Sequence, residues 1–311
     1  HGQKAPFARS ELRTVYYYSY VENGIEGTGE KDLFIGKTNL NEWIDGNDDR
    51  RTHMGYYGNI NNSIMDEKRQ PVPLFGNQIP DEIRREANQT GLDIFILGSN
   101  LPNNWRNSAI THSLNKFYAA IEEGLLKVGI QNNGSIEYID KLSLDNIVSS
   151  KNSNASHYLK ALREPVNGKP FTKEIEYLGE VKLYISLHEG GTQKIDLMRR
   201  PRMKIMHYDK PTLSNYSGVL LVDDETGNEN MRLLEDPEHK KLERWRALDH
   251  FGDEVSIIKD LEDFVDDTLQ GLRAEQAQEP FIIPGLGNIF PDIETDKNKG
   301  DSEGENKEID K

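Results

Sequence analysis

Cysteine is absent from all 311 residues, so the chain can form neither a disulfide nor a thiolate metal site, and nothing points to an oxidising compartment. Also missing is any run near the roughly 20 apolar residues that a membrane helix needs, and any charged-then-apolar leader. The expectation is a cytoplasmic protein with no membrane partner. Apolar residues are scarce at 35%, and the mean hydropathy of −0.74 is low for two packed domains, so part of the chain is expected to stay unpacked. Acidic residues outnumber basic ones, 53 to 38, and the net charge of −15 argues against a protein that coats nucleic acid over its whole surface. The eight histidines are scattered without HxxxH or HxH spacing, so no metal site is expected from local ligands.

The apolar run Thr90–Gly98, bounded by glycines and followed by Pro102, reads as a buried strand that ends one sheet and leads into a second domain. Upstream, Gly2-Gln3-Lys4-Ala5 is a glycine loop running into a short helix, and Thr14–Val21 is a strand by its β-branched and aromatic content. Asn23-Gly24 is a hairpin signal. Residues 24–90 carry short apolar islands at Leu33–Gly36 and Tyr56–Gly58 between Gly, Asn, Asp and Pro, and read as a long connection, functional or disordered. From Trp105 the pattern sharpens. Asn107–Glu123 is an amphipathic helix stopped by Gly124, followed by a hairpin over 126–139 and short helices over 141–149 and 156–163. Strands follow at 181–187, 192–198, 203–207 and 216–222, with Gly190-Gly191 turning the first back into the second. A helix over 228–234 and a long one over 253–277 complete an α+β sandwich with helices on one face. Domain boundaries are set at 1–102, 103–279 and 280–311, the last being a short apolar motif, Phe281–Gly287, and a disordered acidic tail.

A glycine loop before a helix can hold phosphate, since free amides and the helix dipole both favour an anion there. Alone, Gly2-Gln3-Lys4-Ala5 reads as an ordinary loop before a helix. Beside the Thr90–Gly98 strand and the second domain, Gly2 through Tyr17 resembles the second glycine box of the gyrase, heat-shock chaperone, histidine-kinase and MutL (GHKL) ATPases, which forms a lid over ATP. Gly91-Leu92-Asp93-Ile94-Phe95-Ile96 is similar to the later box that closes the nucleotide-binding sheet, and the part after Trp105 is similar to the family's transducer domain. The runs 216–225, 233–245 and 283–287 look like those of a bacterial, MORC-like group of ATP-binding proteins. The resemblance spans roughly residues 1–290 and implies a partial GHKL (Bergerat-type) domain, a transducer-like domain and the tail. It implies ATP and Mg2+ as cofactors, with Gly2, Gln3, Lys4, Ala5 and Gly91 at the nucleotide. Lys240, in the loop after strand 218–222, would meet the γ-phosphate, with Lys241 as the alternative.

The chain also departs from the family. Its only Glu-x-x-x-Asn pair, Glu294 and Asn298, lies in the acidic tail, no Asp-x-Gly-x-Gly follows a strand, and Leu92 stands where the family has threonine. The resemblance therefore implies a fragment without general base or magnesium ligand, hydrolysing ATP only within an intact protein. Homodimerisation, a protein partner or DNA, in modification or phage defence, follows by analogy alone. The rival reading is a non-enzymatic interaction module. Two further features stay open. Arg199, Arg200, Arg202 and Lys204 are either a phosphate or DNA contact or a salt-bridged strand end. The Tyr16, Tyr17, Tyr18 and Tyr20 strand is either a base-stacking surface or a strand covered on both sides.

Overall fold

In the computed structural model of the chain, the described residues are 5–25, 29–44, 46–48, 50–59, 72–86, 89–251 and 254–278. A four-residue helix, α1 (Ala5–Ala8), precedes the tyrosine-rich strand β1 (Thr14–Tyr20). The latter sits inside an antiparallel sheet of order β5-β2-β1-β7, made with β2 (Asp32–Asn39), β5 (Met54–Tyr57) and β7 (Gly91–Ile96). The short β6 (Leu74–Phe75) also pairs with β2, and β3 (Trp43–Ile44) with β4 (Arg50–Arg51) forms a separate two-residue ladder.

The stretch expected to be a long connection thus supplies β2, β5 and β6 to this sheet. Gly36 shows why the sequence hides them. A Cβ there would stand 2.3 Å from the Tyr16 ring, so this glycine makes room for an aromatic on the neighbouring strand and does not break its own. One face of the sheet is closed by Tyr18, Phe34, Leu74 and Ile79, with Ile83 packed against them. The Tyr18 hydroxyl donates to Asp32 Oδ1 at 3.0 Å and accepts from the Arg85 amide at 3.2 Å. On the other face Val15 is fully buried and Tyr17 half-buried, so the tyrosine strand has burial on both sides.

β7 departs from its expected burial. Among the described residues it pairs with β1 alone, and Leu92 and Ile94 are 57% and 47% exposed. Its apolar composition marks an edge strand with an uncovered face, not a buried one. Arg85 fixes this edge through a bidentate pair with Asp93, at 2.7 and 2.6 Å, and a 3.0 Å bond to the Thr90 carbonyl.

The chain then enters α2 (Trp105–Glu122), whose Ile110, Leu114, Tyr118 and Ile121 are buried as their spacing requires. Gly124, in the left-handed region at φ +74°, stops it, and Leu125 lies exposed beyond. The hairpin β8 (Val128–Asn132) and β9 (Ser135–Ile139) and the helices α3 (Leu144–Ser150) and α4 (Ala155–Arg163) match expectation closely. A second five-stranded sheet follows, built from β10 (Phe171–Ile175), β11 (Gly179–Leu187), β12 (Lys194–Arg199), β13 (Met203–Asp209) and β14 (Tyr216–Val222). After it come α5 (Glu225–Leu234), α6 (Arg244–Phe251) and α7 (Glu254–Gln278).

Two expectations for this sheet are corrected. The Gly190-Gly191 turn does not lay β12 against β11. The order is β10-β11-β14-β12-β13, with β14 inserted between them, antiparallel to β11 and parallel to β12. Every residue of β14 is buried, so this strand takes the centre of the sheet, where both faces can be covered. Helices accordingly lie on both faces and not one. Leu183, Ile185 and Leu220 pack towards Met231, Leu261 and Val265 of α5 and α7, while Met198, Val219 and Leu221 pack towards Leu114 of α2 and Leu159 of α4. The fold is a mixed α+β arrangement with several antiparallel sheets and seven α-helices among the described residues. The Phe281–Gly287 motif and the acidic tail lie outside the described residues.

Candidate functional site

α5 opens with Asp224, whose side chain accepts from the Gly227 amide, and ends at Leu234. The next eight residues form a tight loop. Its neck is closed by the Glu235–Leu242 bridge and by the Glu243 amide bonding to the Leu234 carbonyl at 2.8 Å. At its tip, Asp236-Pro237-Glu238-His239 turns through a 3.0 Å bond from the His239 amide to the Asp236 carbonyl, with proline at the position a type I turn favours and His239 at φ +53°. The Asp236 carboxylate then accepts from the backbone amides of Lys240, at 2.6 Å, and Lys241, at 3.2 Å. The backbone of both candidate lysines is therefore fixed by a buried carboxylate.

Two buried groups hold the loop from beneath. Arg199 of β12 donates from Nε to Glu235 Oε1 at 2.5 Å, and both side chains are almost fully buried. Glu235 Oε2 takes His239 Nδ1, also at 2.5 Å. From α2, Lys116 Nζ reaches the carbonyls of Lys204 at 3.2 Å and of Ile205 and His239 at 3.3 Å, tying helix, β13 and loop together. Burial, and after it the neighbouring Lys204 ammonium, pushes the Lys116 pKa down. These supports were not legible in the sequence, because Lys116 lies 123 positions from His239 and looks like any polar residue on an amphipathic helix.

Lys240 itself projects outward. Its side chain is 68% exposed, and its ammonium meets the Glu238 carboxylate at 2.5 Å, a solvent-exposed pair that raises its pKa. Lys241 turns to Glu243 at 3.2 Å. The loop can thus offer a cation on a rigid backbone, with a partner that a stronger anion can displace.

No known protein family, curated protein or solved structure matches this chain.

The other expected site residues are not brought to this loop by any contact among the described residues. Gly2, Gln3 and Lys4 lie outside the described residues, and Ala5 is the exposed first residue of α1. Gly91 has a structural reason of its own. At φ +150°, a Cβ there would stand 2.3 Å from Arg85 Nη1, so glycine admits the guanidinium that grips Asp93. Gly91→Ala is expected to displace Arg85 and cost about 1–3 kcal/mol by urea denaturation. A loss under about 0.5 kcal/mol would show that the clamp adjusts freely.

The basic island is consumed internally. Arg199 is buried against Glu235, Arg202 lies between Glu123 and Asp223, Lys204 is 2.7 Å from Asp196, and Arg200, half-exposed, lies 3.7 Å from Glu225. Each of the four cations thus has an acidic neighbour, with Arg200 the most exposed of them. Among the described residues, no group of three or more His, Asp or Glu side chains is placed to hold a metal ion, and no helix is long and apolar enough to cross a membrane.

The loop carries a pH dependence of known sign. Burial alone raises the Asp236 carboxyl, but the amides of Lys240 and Lys241, with the Lys241 ammonium, outweigh it and hold it below the ordinary carboxylate range. A depressed pKa means the turn's stabilisation is complete at neutral pH and is lost as pH falls through the folded-state value, below about 3.9. The amide resonances of Lys240 and Lys241 are expected to titrate together at such an acid midpoint. A shared midpoint above about 4.5 would contradict the assignment.

Proposed function

We propose that this chain is the phosphate-reading part of a GHKL-type ATP-binding protein, with Lys240 approaching the terminal phosphate of ATP. One observation carries the reading: the Asp236 turn fixes the backbone of Lys240 while its ammonium stays exposed beside a single exposed carboxylate. An exposed lysine on a mobile loop loses rotamer and backbone entropy when it meets an anion. One whose backbone is already fixed loses only the side-chain share, about 2 kcal/mol or less. The family resemblance assigns its γ-phosphate lysine to a loop after a strand, and here the ten-residue α5 lies between β14 and the Lys240 loop.

The loop fits a phosphate, with Lys240 as the anion partner, and among the described residues no group of three or more carboxylate or imidazole ligands is placed for magnesium. The part assigned to this chain in the intact protein is to bind and orient phosphate. Amine-directed labelling read by mass spectrometry tests this. A non-hydrolysable ATP analogue is expected to protect Lys240 by about tenfold, and ADP much less. Equal labelling of Lys240 with and without the analogue would remove the assignment.

The interaction-module reading is favoured by a different observation, the uncovered face of β7. Leu92 and Ile94, beside the half-buried Tyr17 of β1, leave an apolar patch on a sheet edge of the kind that protein partners cover.

A further inference from the structure

The second sheet carries a polar cavity that neither the resemblance nor the Lys240 loop accounts for. It lies between α2, α4 and the β12–β13 pair, with a volume of about 530 Å³. Its floor is Asp196, which is fully buried. Asp196 Oδ2 accepts from the Tyr118 hydroxyl at 3.1 Å. Oδ1 is ion-paired with Lys204 Nζ at 2.7 Å, and since a carboxylate oxygen can accept two hydrogen bonds, one of its acceptor positions stays open. Asp196 is among the residues that line the cavity, so a donor bound there would complete its hydrogen bonding.

The mouth has the opposite character. Lys194, Lys204 and His207 lie nearer solvent than Asp196, and the first residue of the nine-residue helix α4, Ala155, also lines the cavity. Charges around it balance in pairs, Lys204 with Asp196 and Lys194 with Asp209 at 2.9 Å. Lys116 is the exception. Its ammonium bonds to three backbone carbonyls and, among the described residues, forms no ion pair with a carboxylate. The cavity therefore pairs an acceptor floor with a mouth holding one surplus positive charge.

We propose that this cavity binds a nucleoside monophosphate, its base donating to Asp196 Oδ1 and its phosphate lying among Lys116, Lys194 and Lys204. Each half of the ligand is required by a separate feature. A bare anion would meet the Asp196 carboxylate with nothing to donate to it. A neutral nucleoside would leave the surplus charge of Lys116 unanswered. An amino acid carries both an anion and a donor, but it would leave most of 530 Å³ empty, whereas pockets of this size normally enclose ligands several times larger. Tyr158, stacked on Tyr118 with ring centroids 5.8 Å apart, supplies an aromatic wall beside a flat base.

Calorimetry on the full chain with AMP, adenosine and inorganic phosphate tests the proposal. AMP is expected to bind with a Kd below about 1 mM, and the other two at least about tenfold more weakly. Asp196→Asn and Lys116→Met should each weaken AMP by about tenfold, with folding checked by circular dichroism. Lys194→Met, at a more exposed position, serves should Asp196→Asn fail to fold. Lys240→Ala should leave AMP binding within about twofold, which separates this cavity from the γ-phosphate reading. The imidazole resonances of His157 and His207, which line the cavity, should shift with AMP and report its location. The proposal is overturned by undetectable AMP binding at about 5 mM, by phosphate binding as tightly as AMP, or by AMP binding that the folded variants leave unchanged.

Discussion

Arg199→Ala lowers the stability of the protein by about 3–5 kcal/mol, the cost of breaking a buried ion pair from one side. The Glu235 side chain it leaves behind is only 1% exposed, and the 2.5 Å contact from Arg199 Nε is its principal charge partner. His239 at Oε2 supplies one hydrogen bond, from a side chain itself half-exposed. Nη2 donates to Glu235 Oε2 at 3.5 Å, and Nη1 reaches the Arg200 carbonyl and Asn228 Oδ1, each at 3.3 Å, so the same change also frees α5 from β12. Replacing both partners, as Arg199→Met with Glu235→Gln, should recover about half of the loss, because no uncompensated charge then stays buried. Urea denaturation of the single and double variants measures both values. A single-variant loss below about 1 kcal/mol would mean that water reaches Glu235 and that the pair does not hold the loop.

Gly227→Ala costs about 3 kcal/mol, against the direction that helix propensity predicts. Within a helix, alanine is favoured over glycine by about 1 kcal/mol. Here the added Cβ would stand 2.1 Å from the Leu178 carbonyl oxygen and 2.8 Å from its carbon, both backbone atoms that cannot rotate away. α5 must then shift off the loop before β11, and the Asp224 cap on the Gly227 amide is strained with it. Steric overlap outweighs propensity, so thermal unfolding should show a lower midpoint than the parent by several degrees. A raised midpoint would show that the helix slides without loss. Because α5 leads directly into the Asp236 turn, the same variant should also loosen Lys240.

Elements with strong local signatures were legible. The three- and four-residue spacing from Ile110 to Ile121 marked α2, the Asn-Asn-Gly turn marked the β8–β9 hairpin, and the Val-Leu-Leu-Val run at 219–222 marked β14. What local pattern cannot carry is which strand neighbours which. The Gly190-Gly191 pair looks like a hairpin, yet Gly191 is there because a Cβ would stand 2.4 Å from the Tyr216 amide nitrogen as the loop passes the start of β14. Apolar content misled at β7, because composition reports what a surface could bury and not what covers it. Nothing in the local pattern marked Asp196, a carboxylate fully buried under Tyr118 and Lys204 on a strand expected only as such. Arg199, Arg202 and Lys204 cluster in sequence but separate in space towards three sets of acids. The position of Lys240 came from the family resemblance, while the groups that fix its backbone come from Asp236 nearby and from Lys116 and Arg199 far along the chain.

The most direct test of the Lys240 assignment is calorimetric binding of a non-hydrolysable ATP analogue and of ADP, on this chain and on its naturally encoded full-length form, each with and without Lys240→Ala. The full-length form is expected to bind the analogue. Lys240→Ala should weaken that binding by about tenfold or more while leaving ADP within about twofold, since the lysine meets only the terminal phosphate. Equal affinity of parent and variant for the analogue, or no nucleotide binding by either form, would contradict the assignment and leave the uncovered face of β7 as the functional surface.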